Sequence, residues 1–395
     1  MRVLLLADAP DAPGWAVEGI PALESAAAGS PSAEFPAVDG GSVGLLLSTG
    51  GTTGAAKLVA HRHTGVAYAA RQYAEAIGLK GDDRVLQVGP FGHASGTIFT
   101  LYTPILAGAA IVPLAAWSPS EFAAAAERTK ATWTLLSGTH VHDLLTLPSA
   151  AEAALGSLRG MSAGSGSDLL FGEAERRFGI IIRRMYGLTE CLGNSIMPAD
   201  TPGADRMTRD GLAFAGTEHR VVSVGGVEPV SPGEPGEMLV RGPSLFSGYH
   251  GRPELTSDVV DKDGWFRTGD LMEMDGQGFI KYVGRLKDVI RRGGVNIDPL
   301  EVERALVTHP AIADVAVVGM PDDRLGERPA AVVVTAGRAK APTLADLLSY
   351  LAQREVPPAA RPEFIFTVDA LPKTEFGKHD KVALRALLSR LPPAR

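Results

Sequence analysis

Five separated segments carry residue types that could handle a nucleotide and an acid. They are STGGTTGAAK (48–57), YGLTE (186–190), TGD (268–270), GRLKDVIRRGGVNIDPLEVE (284–303) and a late PKTEFGK (372–378). In the first, Gly50, Gly51 and Gly54 let the backbone curl around oxygens, and Thr49, Thr52 and Thr53 bring hydroxyl donors. Backbone N–H groups presented in this way make an anion nest. No Gly-Lys-Ser/Thr ends the loop, so it is not a Walker loop. Glu190 offers the carboxylate oxygen that a hard cation such as Mg²⁺ takes beside phosphate oxygens and water. Asp270 can accept hydrogen bonds from two ribose hydroxyls, as acidic residues do in dinucleotide-binding folds. A flexible ammonium such as Lys378 can stand between an attacking carboxylate and a phosphate, offsetting their repulsion in the transition state. Each segment alone has an ordinary alternative: a plain Gly/Thr loop, a capped helix start at Thr189, a turn-forming Asp270 or a solvated lysine. Together they supply what transfer of a nucleotide to a carboxylate needs.

The elements that must hold these residues follow from the hydrophobic pattern. SVGLLLST (42–49) reads as an apolar strand running into the glycine loop, and residues 65–79 have helical character. Residues 83–90, 109–114 and 132–138 read as strands and residues 98–109 as a buried helix. Residues 118–129 form a helix with Ser118 as cap, Pro119 in the first turn and Glu121 three residues after the cap. This alternation predicts βαβ units, an α/β fold with a helix-covered, largely parallel sheet. From about residue 212, HRVVSV, GEMLVRG, GWFRTGD and GFIKYVG predict a small β subdomain. After Gly284 an α+β module follows. Asp298 caps a helix starting at Pro299 with Glu301 at the capping-box position, ADVAVVGM and PAAVVVT are buried strands, and Thr343 caps an amphipathic helix. The domains predicted are 1–284, carrying the nucleotide and acyl sites, and 285–395, with residues 11–40 as a connecting arm.

With 395 residues the chain is long enough for two or more domains with a substantial core. A net charge of −7 without a Lys/Arg run excludes a sequence-independent nucleic-acid surface. The single cysteine, Cys191, excludes an internal disulfide framework and reads as a small packed residue rather than a nucleophile. VLLLA near the start is shorter than the roughly 7–15 apolar residues of a signal peptide and reads as a buried first strand. No run approaches the ~18–20 apolar residues of a membrane span. A soluble, cytoplasmic protein is expected.

In this order the five segments closely resemble the adenylate-forming superfamily of acyl-CoA synthetases, peptide-synthetase adenylation domains and luciferases, from about residue 41 to the end. The resemblance implies that the second domain is mobile. It assigns ATP to Thr49, Gly51, Thr52, Thr53, Gly54 and Lys57, adenine packing to Tyr186, the α-phosphate to Thr189 and Mg²⁺ to Glu190. Arg285 becomes the second ribose contact beside Asp270, Lys287 the hinge, and Lys378 the catalytic lysine. GSGS (164–167) stands near the family's adenine-contacting turn, which brings in Gly164 and Ser165, also beside the acid. His93 and Ala94 match the acyl pocket. The chain departs from the family at Gly50, Ala56 and Leu58, where Ser, Pro and Gly are usual, and at Gly166, Ser167 and Asp168, which replace Ala-Pro-Leu. Ala94 stands where activators of hydroxybenzoates often have Asn.

The stretch from GWFRTGD to MPDDRLGER most resembles CoA ligases of fatty and cyclic carboxylic acids. The activity implied is ATP-dependent conversion of a small carboxylic acid to acyl-AMP and then to a thioester, with ATP, Mg²⁺ and coenzyme A. One alternative is transfer to a carrier-protein phosphopantetheine or another nucleophile. A second is a non-catalytic nucleotide-binding or complementing subunit. Only 47 residues precede Ser48, where the family has most of a further subdomain. That difference leads to the expectation of a homo-oligomer or a complementing chain, because removing a packed subdomain uncovers apolar surface.

Overall fold

Short apolar strands separated by helices build the centre of the chain. Ala110–Pro113, Arg84–Gln87, Trp133–Leu136, Gly160–Ala163 and Ile181–Leu188 lie in that order, each parallel to its neighbour. Leu192–Ile196 and Leu212–Ala213 extend the sheet as an antiparallel edge. The helices His63–Ile77, Pro119–Thr129, Gly138–Leu145 and Asp168–Phe178 accompany it. Two apolar clusters fill the layers, one around Phe122, Leu136, Met161 and Phe171, the other around Tyr73, Ile98, Phe99 and Trp133. This is the expected α/β sheet. The chain is described here from a computed structural model over residues 37–49, 57–164, 168–337, 340–373 and 379–388.

The predicted helix over 98–109 differs from expectation. A π-helix, Ser95–Tyr102, runs into a short α-helix, Thr103–Ala107, and Tyr102, Ile105 and Leu106 are exposed. Hydroxyls compete for its carbonyls: Thr100 Oγ1 donates to the Gly96 carbonyl at 3.0 Å and Thr103 Oγ1 to that of Ile98 at 2.9 Å. Such back-bonding disturbs the α-helical ladder, and an apolar run carries no mark of it.

All four predicted strands of the β subdomain are present. Glu218–Val222, Gly236–Arg241, Phe266–Met274 and Ile280–Arg285 form an antiparallel sheet in that order. A third sheet places Lys57–Arg62 between Val43–Thr49 and the two-residue strand Gly248–Tyr249, both antiparallel to it. The last sheet runs Val295–Ile297, Ile290–Arg292, Gly326–Thr335, Ile312–Asp322, with Phe364–Thr367 parallel to Gly326–Thr335. Helices Pro299–Leu306, Leu344–Gln353 and Lys381–Leu388 complete it. Thr343 and Asp346 form a reciprocal capping box, whereas Asp298 accepts from the Leu300 N–H at 2.9 Å, one residue short of the box position.

Residues 43–395 form one compact unit and residues 1–42 another. Within the latter, the Ser42 hydroxyl donates to the Asp39 carbonyl at 2.7 Å; the proposed first strand and most of the arm lie outside the described residues. Among the described residues no helix is long and apolar enough to cross a membrane.

Where the β subdomain ends, Gly284 passes the Asp298 cap so closely that a Cβ there would stand 2.7 Å from Oδ1. Burial raises the Asp298 pKa to about 6, against the opposing hydrogen bond from Leu300. A carboxyl with a folded pKa above its unfolded value contributes stability that is present below about pH 4 and lost as pH rises through about 6. Asp298→Asn keeps an acceptor for the cap. It is expected to raise the unfolding free energy at pH 8 by about 1–2 kcal/mol, after allowing for the lost charge at the helix start. Near pH 4 it should give no gain, and urea melts at the two pH values check both statements.

Candidate active site

Asp270 and Arg285 are directly opposed across the antiparallel pair Phe266–Met274 and Ile280–Arg285. Arg285 Nε donates to Asp270 Oδ1 at 2.8 Å, and the Tyr186 hydroxyl donates to Oδ2 at 2.8 Å. TGD, GRLKD and YGLTE therefore meet at one carboxylate, which is 1% exposed. Burial works against the charge of Arg285, but Asp270 outweighs it and raises the guanidinium pKa. Burial and then the Asp270 charge hold the Tyr186 phenol far above its ordinary range, so it stays a donor. A carboxylate has about four lone-pair positions, of which these partners use two. Tyr186 is 7% exposed and belongs to the apolar cluster that includes Val59, Cys191 and Tyr249.

Thr189, Glu190 and Cys191 make a tight turn between the antiparallel strands Ile181–Leu188 and Leu192–Ile196. The alternative of a helix start at Thr189 is thereby overturned, because the chain reverses there into a strand. Gly187 is required, since a Cβ would lie 2.0 Å from the Leu192 carbonyl oxygen. Leu192 itself has φ +55° with its side chain buried, a strained conformation for a bulky residue beside the site. Cys191 is a packed residue as read: Asn194 Nδ2 donates to its sulfur at 3.1 Å, and burial pushes the thiol up to about 12.

The turn is held from the three-stranded sheet. The Glu190 carboxylate accepts from the Tyr249 hydroxyl at 2.8 Å, and its carbonyl accepts from the Phe246 N–H at 2.8 Å. Lys57 Nζ stands 4.0 Å from the centre of the Tyr249 ring. His61 Nε2 and the Thr189 carbonyl oxygen are 2.8 Å apart. His61 is fully buried, which lowers its pKa to about 4, so its neutral ring donates from Nε2. Among the described residues its Nδ1 has no hydrogen-bond partner, an omission that costs about 1–3 kcal/mol. Thr49 Oγ1 reaches the Lys57 carbonyl at 3.5 Å at the base of the glycine loop. Gly51, Thr52, Thr53 and Gly54 of that loop lie outside the described residues, as do Ser165 and Lys378.

His93 Nδ1 meets the Ser95 hydroxyl at 2.8 Å at the start of the π-helix, and Ala94 is buried in the cluster with Ile98, Phe99 and Trp133. Gly164 follows the strand Gly160–Ala163 with nothing within 4 Å of where its Cβ would stand. Asp168, just beyond, pairs with Arg184 at 2.6 Å, and Arg184, 2% exposed, also pairs with Asp210 at 2.8 Å. Asp210 Oδ2 accepts from the Tyr282 N–H at 2.6 Å. This network ties the strand leading to Tyr186 to the strand leading to Arg285. Lys287 has its pKa lowered by burial and then by Arg285. On the far side of Lys378, His379 Nε2 lies 2.9 Å from Asp314, which also takes Lys373 at 3.5 Å.

Residues 5–250 match the AMP-binding enzyme family, and residues 301–378 match the AMP-binding enzyme C-terminal domain. The chain belongs to the AMP-binding enzyme family. The match starts well ahead of residue 41, where the motif resemblance begins. This AMP-binding enzyme is 36% identical over 353 residues to the medium-chain fatty-acid–CoA ligase of Escherichia coli, covering 89% of this chain and 62% of that protein. It is 37% identical over 381 residues to the salicyl-AMP ligase / salicyl-S-ArCP synthetase of Mycobacterium tuberculosis, covering 94% and 65%. Its fold matches the ATP-bound crystal structure of MatB from Rhodopseudomonas palustris with a TM-score of 0.85 and 27% identity, over 93% of this chain and 73% of that one. The chain thus spans less than two thirds of the length of the two curated relatives.

His61, Tyr249, Arg184 and Asp210 were not singled out from the sequence of this AMP-binding enzyme. Their partners lie far along the chain, so no local spacing marks them. Among the described residues no group of three or more His, Cys, Asp or Glu side chains could hold a metal by itself. Glu190 as a single carboxylate beside the Thr189 hydroxyl fits Mg²⁺ carried on phosphate oxygens, since that ion usually takes one or two protein carboxylates and keeps phosphates and waters. Asp270→Ala strands two donors and is expected to lower stability by about 2–4 kcal/mol and to weaken ATP binding at least tenfold, about 1.4 kcal/mol. Tyr186→Phe removes one donor to the same carboxylate and should cost about 1 kcal/mol in stability, with ATP affinity nearly unchanged. Chemical unfolding and calorimetric ATP titration separate the two; equal loss of ATP affinity in both variants would make Asp270 a structural anchor alone.

Proposed function

We propose that this AMP-binding enzyme activates a small carboxylic acid with ATP and passes the acyl group to a thiol, as an AMP-forming acid–thiol ligase. The observation that carries the reading is the meeting of Tyr186 and Arg285 on the buried Asp270 carboxylate, which assembles a ribose-binding corner from three distant motifs. Asp270 accepts the ribose hydroxyls and Arg285 orients the carboxylate. Thr189 and Glu190 face the phosphates, where Glu190 would hold Mg²⁺; bound there, the cation offsets phosphate charge. The glycine loop with Lys57 wraps the phosphates. His93, Ala94 and Gly164 line the acyl pocket.

An oxygen of the acid attacks the α-phosphorus, the bond to the β-phosphate oxygen breaks, and pyrophosphate leaves. The thiol sulfur then bonds to the acyl carbon, its proton goes to solvent, and AMP departs with the former acid oxygen. Lys378 contributes to the first step by offsetting the repulsion between two anions. The division of the chain at Arg285–Lys287 belongs to the same proposal. Its support is that Arg285 pairs with Asp270 in the β subdomain while Ile290 already belongs to the last sheet. A turn at Lys287 would then exchange the surfaces serving the two steps.

Coenzyme A is the preferred acceptor, in line with the fatty-acid–CoA ligase relative. The salicyl-S-ArCP synthetase relative, of similar identity, supports a second reading in which a carrier-protein phosphopantetheine takes the acyl group. Discharge of preformed acyl-AMP by free CoA, or only by a holo carrier protein, decides between them. Absence of any acid-dependent pyrophosphate exchange would leave a nucleotide-binding subunit instead.

Lys378→Ala is expected to slow acyl-AMP formation by about 10²–10³-fold while transfer from preformed acyl-AMP stays within a few-fold of wild type. Lys287→Pro fixes the backbone at the proposed hinge and should impair transfer more than adenylation. Pyrophosphate release and single-turnover thioester formation measure the steps separately, and parallel losses in both would remove the hinge assignment.

A further inference from the structure

We infer that His61 and Tyr249 are positioning residues that hold the Thr189–Glu190 turn in register with Lys57. This rests on the reading of Glu190 given above. The turn belongs to the large sheet, yet its anchors come from the other one: His61 reaches the Thr189 carbonyl, Tyr249 the Glu190 carboxylate, each at 2.8 Å. The two anchors sit on neighbouring strands, because Gly248 and Tyr249 pair with Ala60 and Val59. Lys57 begins the same strand as His61. The small sheet is therefore a rigid bracket carrying one cation and two anchors, and it fixes where the carboxylate stands relative to that cation.

Each anchor has a feature that packing alone does not explain. His61 is fully buried, and among the described residues Nδ1 has no partner and the bond to Thr189 is its one polar contact. A leucine would fill such a position without an unmade hydrogen bond. Tyr249 has Lys57 over its ring face and Glu190 at its hydroxyl. No ion pair joins Lys57 to Glu190 among the described residues. The ring thus keeps two opposite charges apart, so that each can meet the phosphates or their cation instead of neutralising the other.

The test compares His61→Leu, Tyr249→Phe, the double variant, His61→Gln and Glu190→Gln. It reads kcat and KM for acyl-AMP formation, the melting temperature without ATP or Mg²⁺, and calorimetric binding of ATP in the absence of metal. His61→Leu and Tyr249→Phe should each lower kcat by about tenfold or more, with metal-free ATP binding falling far less than kcat because the ribose contacts Asp270 and Arg285 are untouched. The double variant should resemble the worse single one, since either loss frees the same turn. His61→Gln should recover most of the rate, its amide N–H replacing Nε2–H. A kcat near wild type in both single variants, or a double loss equal to the product of the two, overturns the inference when Glu190→Gln is itself impaired. A Glu190→Gln enzyme of normal rate instead overturns the reading of the site. Should His61→Leu not fold, Tyr249→Phe decides alone, by a fall in kcat with unchanged melting or by its absence.

Discussion

A carboxylate at 1% exposure needs hydrogen-bond donors around it, and the structure turns on how Asp270 obtains them. One donor, Arg285, comes from the paired strand, which fixes the register of Phe266–Met274 against Ile280–Arg285. A slip of one residue would place the guanidinium on the opposite face. The other donor, Tyr186, comes from the large sheet and draws that sheet onto the β subdomain. The Arg184–Asp210 pair repeats the connection a few residues away, with Asp210 also holding the Tyr282 N–H. Charges buried in matched sets thus join the two layers where apolar contact alone would leave their relative position loose.

The same economy governs the phosphate side. Each charged group has its own partner: Arg285 has Asp270, Glu190 has the Tyr249 phenol, and Lys57 has the Tyr249 ring. On the function proposed above, charges held apart in this way are preorganised for a triphosphate and its cation, and such preorganisation is where electrostatic catalysis draws its strength. The strained backbone of Leu192 and the unpaired Nδ1 of His61 lie beside the same turn. Both are local costs tolerated where the turn is placed, and unfavourable details of this kind collect at functional sites.

Much of the site was legible as residue types. Asp270 and Glu190 stand out as carboxylates of the kind that ribose and a hard cation take, Arg285 through the family resemblance, and the four strands of the β subdomain follow from their alternation. Less legible was the hydroxyl of Tyr186, whose bond to Asp270 no local spacing announces. The helix over 98–109 was legible as helical and apolar, but its widening into a π-helix depends on hydroxyl bonds to its own carbonyls. His61 and Tyr249 were not legible at all. A histidine in a strand and a tyrosine after a glycine have no special spacing, and their roles exist only opposite a turn more than a hundred residues from one of them.

The sequence by itself determined the chemistry available and the order of the elements, because residue type sets which groups can accept, donate or carry charge, and hydrophobic period sets strand and helix. It also supplied Gly187 for the tight reversal at 189–191, where any side chain would collide with Leu192. Only the tertiary structure decided which groups meet. Pairing of Tyr249 with Val59, and of Asp270 with Arg285, is a matter of register between segments distant in the chain. Register is set by the packing of whole sheets, a property that no single segment contains.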